Sequence, residues 1–121
     1  FNARNETADA KALFRDGMRQ RRCLVPAAHY FEWEKRGKDR IKYAIRPGGA
    51  SVMYMAGIYR LENGAPVFTI LTREPAAAIS FIHNRMPVIL PKEAAGDWLN
   101  IRYDAGDVLA GAVQDVECWL A

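Results

Sequence analysis

The chain has 121 residues, half of them apolar and 26% charged, with a formal net charge of +3, which suits one domain around a single core and is too short for two. It has no run of about 18 apolar residues, which argues against a hydrophobic membrane helix, and no secretory signal. Its two cysteines, Cys23 and Cys118, lack metal-ligand spacing and are too few for a disulfide framework, so a reducing cytoplasm is the expected setting. Charge is uneven. Residues 1–46 carry 12 Lys/Arg and 6 Asp/Glu, a balance of +6, whereas residues 47–121 carry 5 and 8, a balance of −3. A basic half suits attraction to phosphate, although many basic surfaces only solvate a fold.

The chain opens at Phe1, with neither methionine nor leader, which reads as a sequence whose upstream part has been removed. Thr7 can cap a helix over residues 7–19, with Leu13, Phe14 and Met18 on its apolar face. An apolar strand follows over 23–27, containing Pro26, then a strand over 30–35 and a turn over 35–40 around Gly37. Residues 41–46 alternate, with Ile41, Tyr43 and Ile45 on one face. Strands over 52–59 and 67–72 flank an Asn63-Gly64 turn. A helix is expected over 75–82, a short strand over 88–90 and a helix over 92–99. The acidic tail from Asp104 is poorly patterned and suggests a last short helix. No repeat or linker interrupts the chain. Several antiparallel strands before most of the helices point to a single α+β domain with a mostly antiparallel, barrel-like sheet flanked by helices.

Three segments carry groups suited to chemistry. In "NARNET" (residues 2–7), Asn5 or Thr7 serves as a helix cap, or Arg4 near a helix start serves as an anion clamp. In "CLVPAAHYFEWEK" (residues 23–35), Phe31, Trp33 and Lys35 face one way, and Tyr30, Glu32 and Glu34 the other. Glu32, flanked by Phe31 and Trp33, is either a desolvated acid/base carboxylate or an ordinary glutamate facing solvent from an edge strand. The aromatics read as core, while an exposed Trp33 would make a stacking platform for a base. In "SFIHNRMPVILP" (residues 80–91), Pro87 ends the preceding helix, leaving His83 at a helix C-terminus and Arg85 on a stiff corner. Both could simply cap the last carbonyls.

"NARNET", "RRCLVPAAHYFEW", "FTILTREP" and "IHNRMPVILP" occur in this order with a spacing that resembles the SRAP family, the SOS-response-associated peptidases or abasic-site processing proteins. The resemblance runs from Asn2 to about Leu99. It implies a protein that binds single-stranded DNA containing abasic sites, probes DNA damage, and forms a covalent thiazolidine crosslink through an N-terminal cysteine, with an autoproteolytic peptidase-type activity. It implies catalytic roles for Asn2, Glu32 and His83, and DNA contacts from Arg4, Trp33, Thr72, Arg85, Met86 and Pro87, with Met86-Pro87 also holding the corner's backbone still. It implies no cofactor, no metal and no membrane partner, and a monomer acting in the cytoplasm on the nucleoid.

The sequence departs from that pattern in one respect. The nucleophilic cysteine that normally precedes "NAR" is absent from residues 1–121, so the domain is expected to be incomplete at its N-terminus, short at its C-terminal end, and unable to crosslink alone. Cys23, inside an apolar strand, reads as an inert core thiol. Two further readings stand beside the enzyme: a non-catalytic single-stranded-DNA binding module, and a thiol peptidase acting on other proteins.

Overall fold

Asn63 and Gly64 both take positive φ, 51° and 80°, the pairing that makes a tight turn whose twist matches two antiparallel strands. The hairpin built on it, β5 (Met53–Glu62) and β6 (Ala65–Arg73), organises the fold. In the computed structural model, which describes residues 2–121, β2 (Arg22–Ala27) runs antiparallel along the far side of β5. β1 (Asn2–Arg4) runs parallel to β6, pairing Asn2 with Ile70 and Arg4 with Thr72. Pro26 is tolerated because β2 is an edge strand. A second sheet is made by β3 (Tyr30–Arg36), β4 (Asp39–Pro47) and β9 (Val116–Leu120), all antiparallel.

The first sheet forks. β5 and β6 pair only from Gly57 and Ile70 toward the turn. Beyond that point β7 (Met86–Pro87) pairs with β6 and β8 (Ile89–Leu90) pairs with β5. Val88 lies between them, donating its N–H to Leu71 O at 2.8 Å while its carbonyl accepts from Ala56 N at 2.9 Å. The segment Met86 to Leu90 therefore fills the gap between splayed strands, which is what fixes the corner ahead of it.

Side-chain alternation along β5 sets up two cores. Ala56 and Ile58 face the helices, packing with Leu71, Val88, Leu90 and Trp98. Met53 and Met55 face the second sheet, packing with Tyr43, Ile45, Met86 and Ile89. Helices α1 (Ala12–Gln20), α2 (Lys92–Leu99) and α3 (Ala105–Leu109) cover the outer face of the first sheet, giving three layers. The domain is α+β and mostly antiparallel as expected; its two sheets do not close into a barrel.

Three local expectations fail. The first helix is not continuous from residue 7. A 3₁₀ turn at Ala8–Ala10 stops at Lys11, whose ψ of 129° is extended, and Thr7 makes no side-chain cap. Leu13 is exposed, whereas Met18 is buried and Phe14 packs against the core as expected, with Gly17 beside them. Residues 75–82 form only a 3₁₀ turn, Ala77–Ile79, entered from Ala76 in an extended conformation with no side-chain cap. The tail holds α3 and also β9, which the second sheet recruits by pairing with β4.

Candidate functional site

The two sheets diverge over a cavity of about 250 Å³, and Asn2, Glu32, Thr72, His83, Arg85, Met86 and Pro87 all line it. Seven of the nine predicted site residues thus meet although they come from four separated places in the chain. Asn2 arrives on β1 because its neighbour Ala3 is buried on the helical side, and Glu32 arrives on β3 by alternation with exposed neighbours.

Glu32 is partnered locally. Its Oε1 accepts from the Trp33 N–H at 3.1 Å, and its Oε2 lies 3.9 Å from His83 Nδ1. Phe31 and Trp33 do not bury it, as the sequence suggested they could. They point to the opposite face of β3, with 42% and 43% of their surface exposed, because β3 is the edge of its sheet and only its inner face meets the core. Lys42 Nζ lies 4.1 Å above the Phe31 ring and 5.7 Å from that of Trp33.

His83 does not stand at an α-helix C-terminus, so no macrodipole acts on it. Its Nδ1 instead accepts the Arg85 backbone N–H at 3.1 Å and lies 3.2 Å from the Arg85 carbonyl. A neutral ring protonated on Nε2 satisfies the first contact. A ring carrying a proton on Nδ1 can donate to that carbonyl and faces Glu32. Nδ1 can serve only one of these two contacts at a time, so the tautomer decides which of them forms.

Arg85 makes more side-chain hydrogen bonds than Glu32 or His83. Its Nη1 and Nη2 donate to Glu6 Oε2 at 3.0 Å and Oε1 at 2.7 Å. Nη2 also donates to the Thr72 carbonyl at 2.9 Å, and Nε to Thr72 Oγ1 at 3.3 Å. The Arg85 hydrogen bonds hold the Glu6 carboxyl below its usual range. Met86 is 1% exposed, and its sulfur accepts the Ala76 N–H at 3.2 Å; it tethers the 3₁₀ turn to the corner and forms part of the cavity wall. Pro87, opposite Thr72 in β7, carries no N–H, so it ends that short pairing without leaving a donor unpaired.

Arg4 and Trp33 stand outside the cavity. Arg4 is exposed on the same side of β1 as Asn2. Four lining residues were not singled out by sequence as site residues: Tyr30, Phe31, Met55 and Ile70. Tyr30 brings a buried hydroxyl without a hydrogen-bond partner, and burial pushes that phenol well above its ordinary range, with Glu32 and Cys118 adding to the effect. Its place beside Glu32 in the inward-facing alternation was the available signal. Glu6 was missed as well, although it is the lone acid of "NARNET", two residues from the candidate clamp Arg4.

Neither cysteine lines this cavity. Cys23 lies on β2 with its thiol pushed up by burial, and Cys118 packs against the inter-sheet core. A larger cleft of about 500 Å³ lies on the helical side, lined by Asn5, Arg19, Arg22, Arg102 and Asp104 among others, and holds none of the predicted site residues. Arg22 is nevertheless well used there, donating to the carbonyls of Met18 at 2.7 Å and Tyr103 at 2.9 Å. Among the described residues no group of three or more His, Cys, Asp or Glu is placed to hold a metal.

The family model described as SOS response associated peptidase (SRAP) matches residues 1–118. The chain belongs to the SRAP family. Its curated relatives include abasic site processing protein YoqW of Bacillus subtilis, 35% identical over 120 residues, which cover 94% of this chain and 54% of the relative. Abasic site processing protein YedK of Escherichia coli is 30% identical over 103 residues, covering 82% of this chain and 46% of the relative. A crystal structure of a protein from Bacteroides thetaiotaomicron superposes with a TM-score of 0.86 at 29% identity, over 98% of this chain and 57% of that one. The SRAP chain described here spans about half the length of the curated relatives it matches.

Proposed function

We propose that this SRAP domain captures abasic sites in single-stranded DNA, seating the ring-opened sugar in the cavity between β1, β3 and the His83 corner. The observation that carries the reading is the convergence of Asn2, Glu32, His83 and Arg85 on one small cavity, with Glu32 and His83 3.9 Å apart. At about 250 Å³ that cavity falls below the roughly 300–1,000 Å³ usual for sites that enclose larger ligands. A sugar that has lost its base suits such a space better than a whole nucleotide.

The nucleophile in this reading is an N-terminal cysteine outside the described residues, delivered beside Asn2. Its neutral amine attacks the C1′ aldehyde, and water leaves as the imine forms. The thiol then adds to the imine carbon, and its proton passes to the nitrogen, closing the thiazolidine with a net loss of one water. His83 and Glu32, 3.9 Å apart on the cavity wall, move the protons. Asn2 orients the amine. Arg4, exposed on the same strand, attracts the backbone phosphates, and Trp33 on the outer face of β3 stacks on a base beyond the cavity.

Incubation of a single-stranded oligonucleotide carrying one abasic site with the chain, and with the complete product of its gene, tests the reading on a denaturing gel. A covalent band from the product that carries an N-terminal cysteine supports it. A product that binds the strand but gives no band favours a non-catalytic binding module, a reading that the lack of a cysteine in the cavity also fits. Hydrolysis of an unrelated protein, abolished by thiol alkylation, would favour a thiol peptidase.

A further inference from the structure

The Arg85 fork is already occupied. Two parallel N–H···O contacts bind the Glu6 carboxylate at 2.7 and 3.0 Å, an arrangement in which a guanidinium holds a carboxylate or a phosphate equally well. With the two contacts to Thr72, four of the five guanidinium donors are directed at protein acceptors. The Arg85 side chain is 14% exposed and that of Glu6 45%, so the acid is the outer member of the pair, on the side from which a strand would approach. Arg85 itself lines the cavity.

We propose that Glu6 is a specificity-determining residue, its carboxylate occupying the seat on Arg85 that a backbone phosphate would otherwise take. This rests on the cavity being a DNA site. A plain strand must displace Glu6 with nothing else holding its phosphate in place. A strand whose abasic sugar is seated beside His83 is already anchored there and stays bound with Glu6 still on the fork. Glu6 thus weakens binding to undamaged strands more than binding to damaged ones. Arg4, which makes no hydrogen bond to the pair but whose charge also acts on Glu6, supplies attraction to either.

A double-mutant cycle tests the proposal, using the parent, Glu6→Gln, Arg85→Gln and the double variant. The probes are a plain oligonucleotide and one carrying a stable tetrahydrofuran abasic analogue, and affinities are measured across salt concentrations. Melting curves establish that each near-isosteric variant is folded. Glu6→Gln is expected to tighten plain-strand binding about five- to tenfold and to steepen its log–log salt slope by about 0.7, the increment for one more phosphate contact on a single strand. Binding to the analogue changes less than twofold, so discrimination falls. In the Arg85→Gln background the same substitution changes plain-strand affinity less than twofold. An equal gain with and without Arg85 would mean generic charge removal and would overturn the proposal. So would no gain, or an equal gain on both strands.

If the parent binds neither strand, the DNA reading fails on its own. Titration with inorganic phosphate, followed at the Arg85 Nε–H resonance, then decides the Glu6 question separately. Binding at least fivefold tighter in Glu6→Gln keeps Glu6 as the occupant of an anion seat, and equal binding removes it.

Discussion

Thr72→Val isolates the contact that joins β6 to the His83 corner. Thr72 is 8% exposed, and its hydroxyl accepts from Arg85 Nε and Nη2, each at 3.3 Å. Valine keeps the shape and the strand preference but replaces the oxygen with a methyl group. The Glu6 pair and the Thr72 carbonyl contact at 2.9 Å remain, so the guanidinium stays in place with Nε facing carbon. A hydrogen bond to a charged group contributes about 1.5–3 kcal/mol. Both contacts are long, which puts the loss near the lower figure, about 1.5 kcal/mol. At about 4 °C per kcal/mol for a domain of this size, the melting midpoint should fall by about 6 °C. Thr72→Ser should recover most of that. Circular dichroism melts of the three proteins at neutral pH would measure it. A midpoint within about 1 °C of the parent would show that the hydroxyl does not hold Arg85, and the account of the corner would be wrong.

Gly57→Ala should destabilise by about 1–3 kcal/mol, because an added Cβ would lie 3.0 Å from Cys23 Sγ and 3.2 Å from the Thr69 carbonyl; urea titration measures it. The Glu6 carboxyl, lowered in the folded state by Arg85, contributes stability above its unfolded pKa and loses it as pH falls through the folded value. Melting midpoints of the parent should therefore drop more steeply on acidification than those of Glu6→Gln. Cys23, whose thiol is raised by burial, should react with iodoacetamide at pH 8 well below the rate of an unfolded control, and equal rates would contradict its placement.

Much of the fold was legible because alternation and turn chemistry act locally. Asn63-Gly64 announced its hairpin, Ile41, Tyr43 and Ile45 announced β4, and both were found. What the sequence could not show depended on partners distant in the chain. β9 becomes a strand because β4 offers it an edge, although the tail suggested only a short helix, and "NAR" becomes β1 because β6 offers another, although it looked like the lead-in to a capped helix. Residues 75–82 carried helical composition, but the chain stays extended at Ala76 and only a 3₁₀ turn follows. The gathering of Asn2, Glu32, Thr72, His83 and Arg85 followed from the family resemblance, not from periodicity. Glu6 escaped notice because nothing local marks a carboxylate whose partner lies 79 residues away.

The central claim is that Glu32 and His83 act together on an abasic sugar in this cavity. The most direct measurement is the rate of crosslink formation by the complete gene product on an abasic oligonucleotide, for the parent, Glu32→Gln, His83→Ala and the double variant. If the pair shares proton transfer, each single substitution slows the reaction by about 10²-fold or more, and the double costs little beyond either alone. Single variants that react at the parent rate, while still binding the strand, would place the chemistry elsewhere.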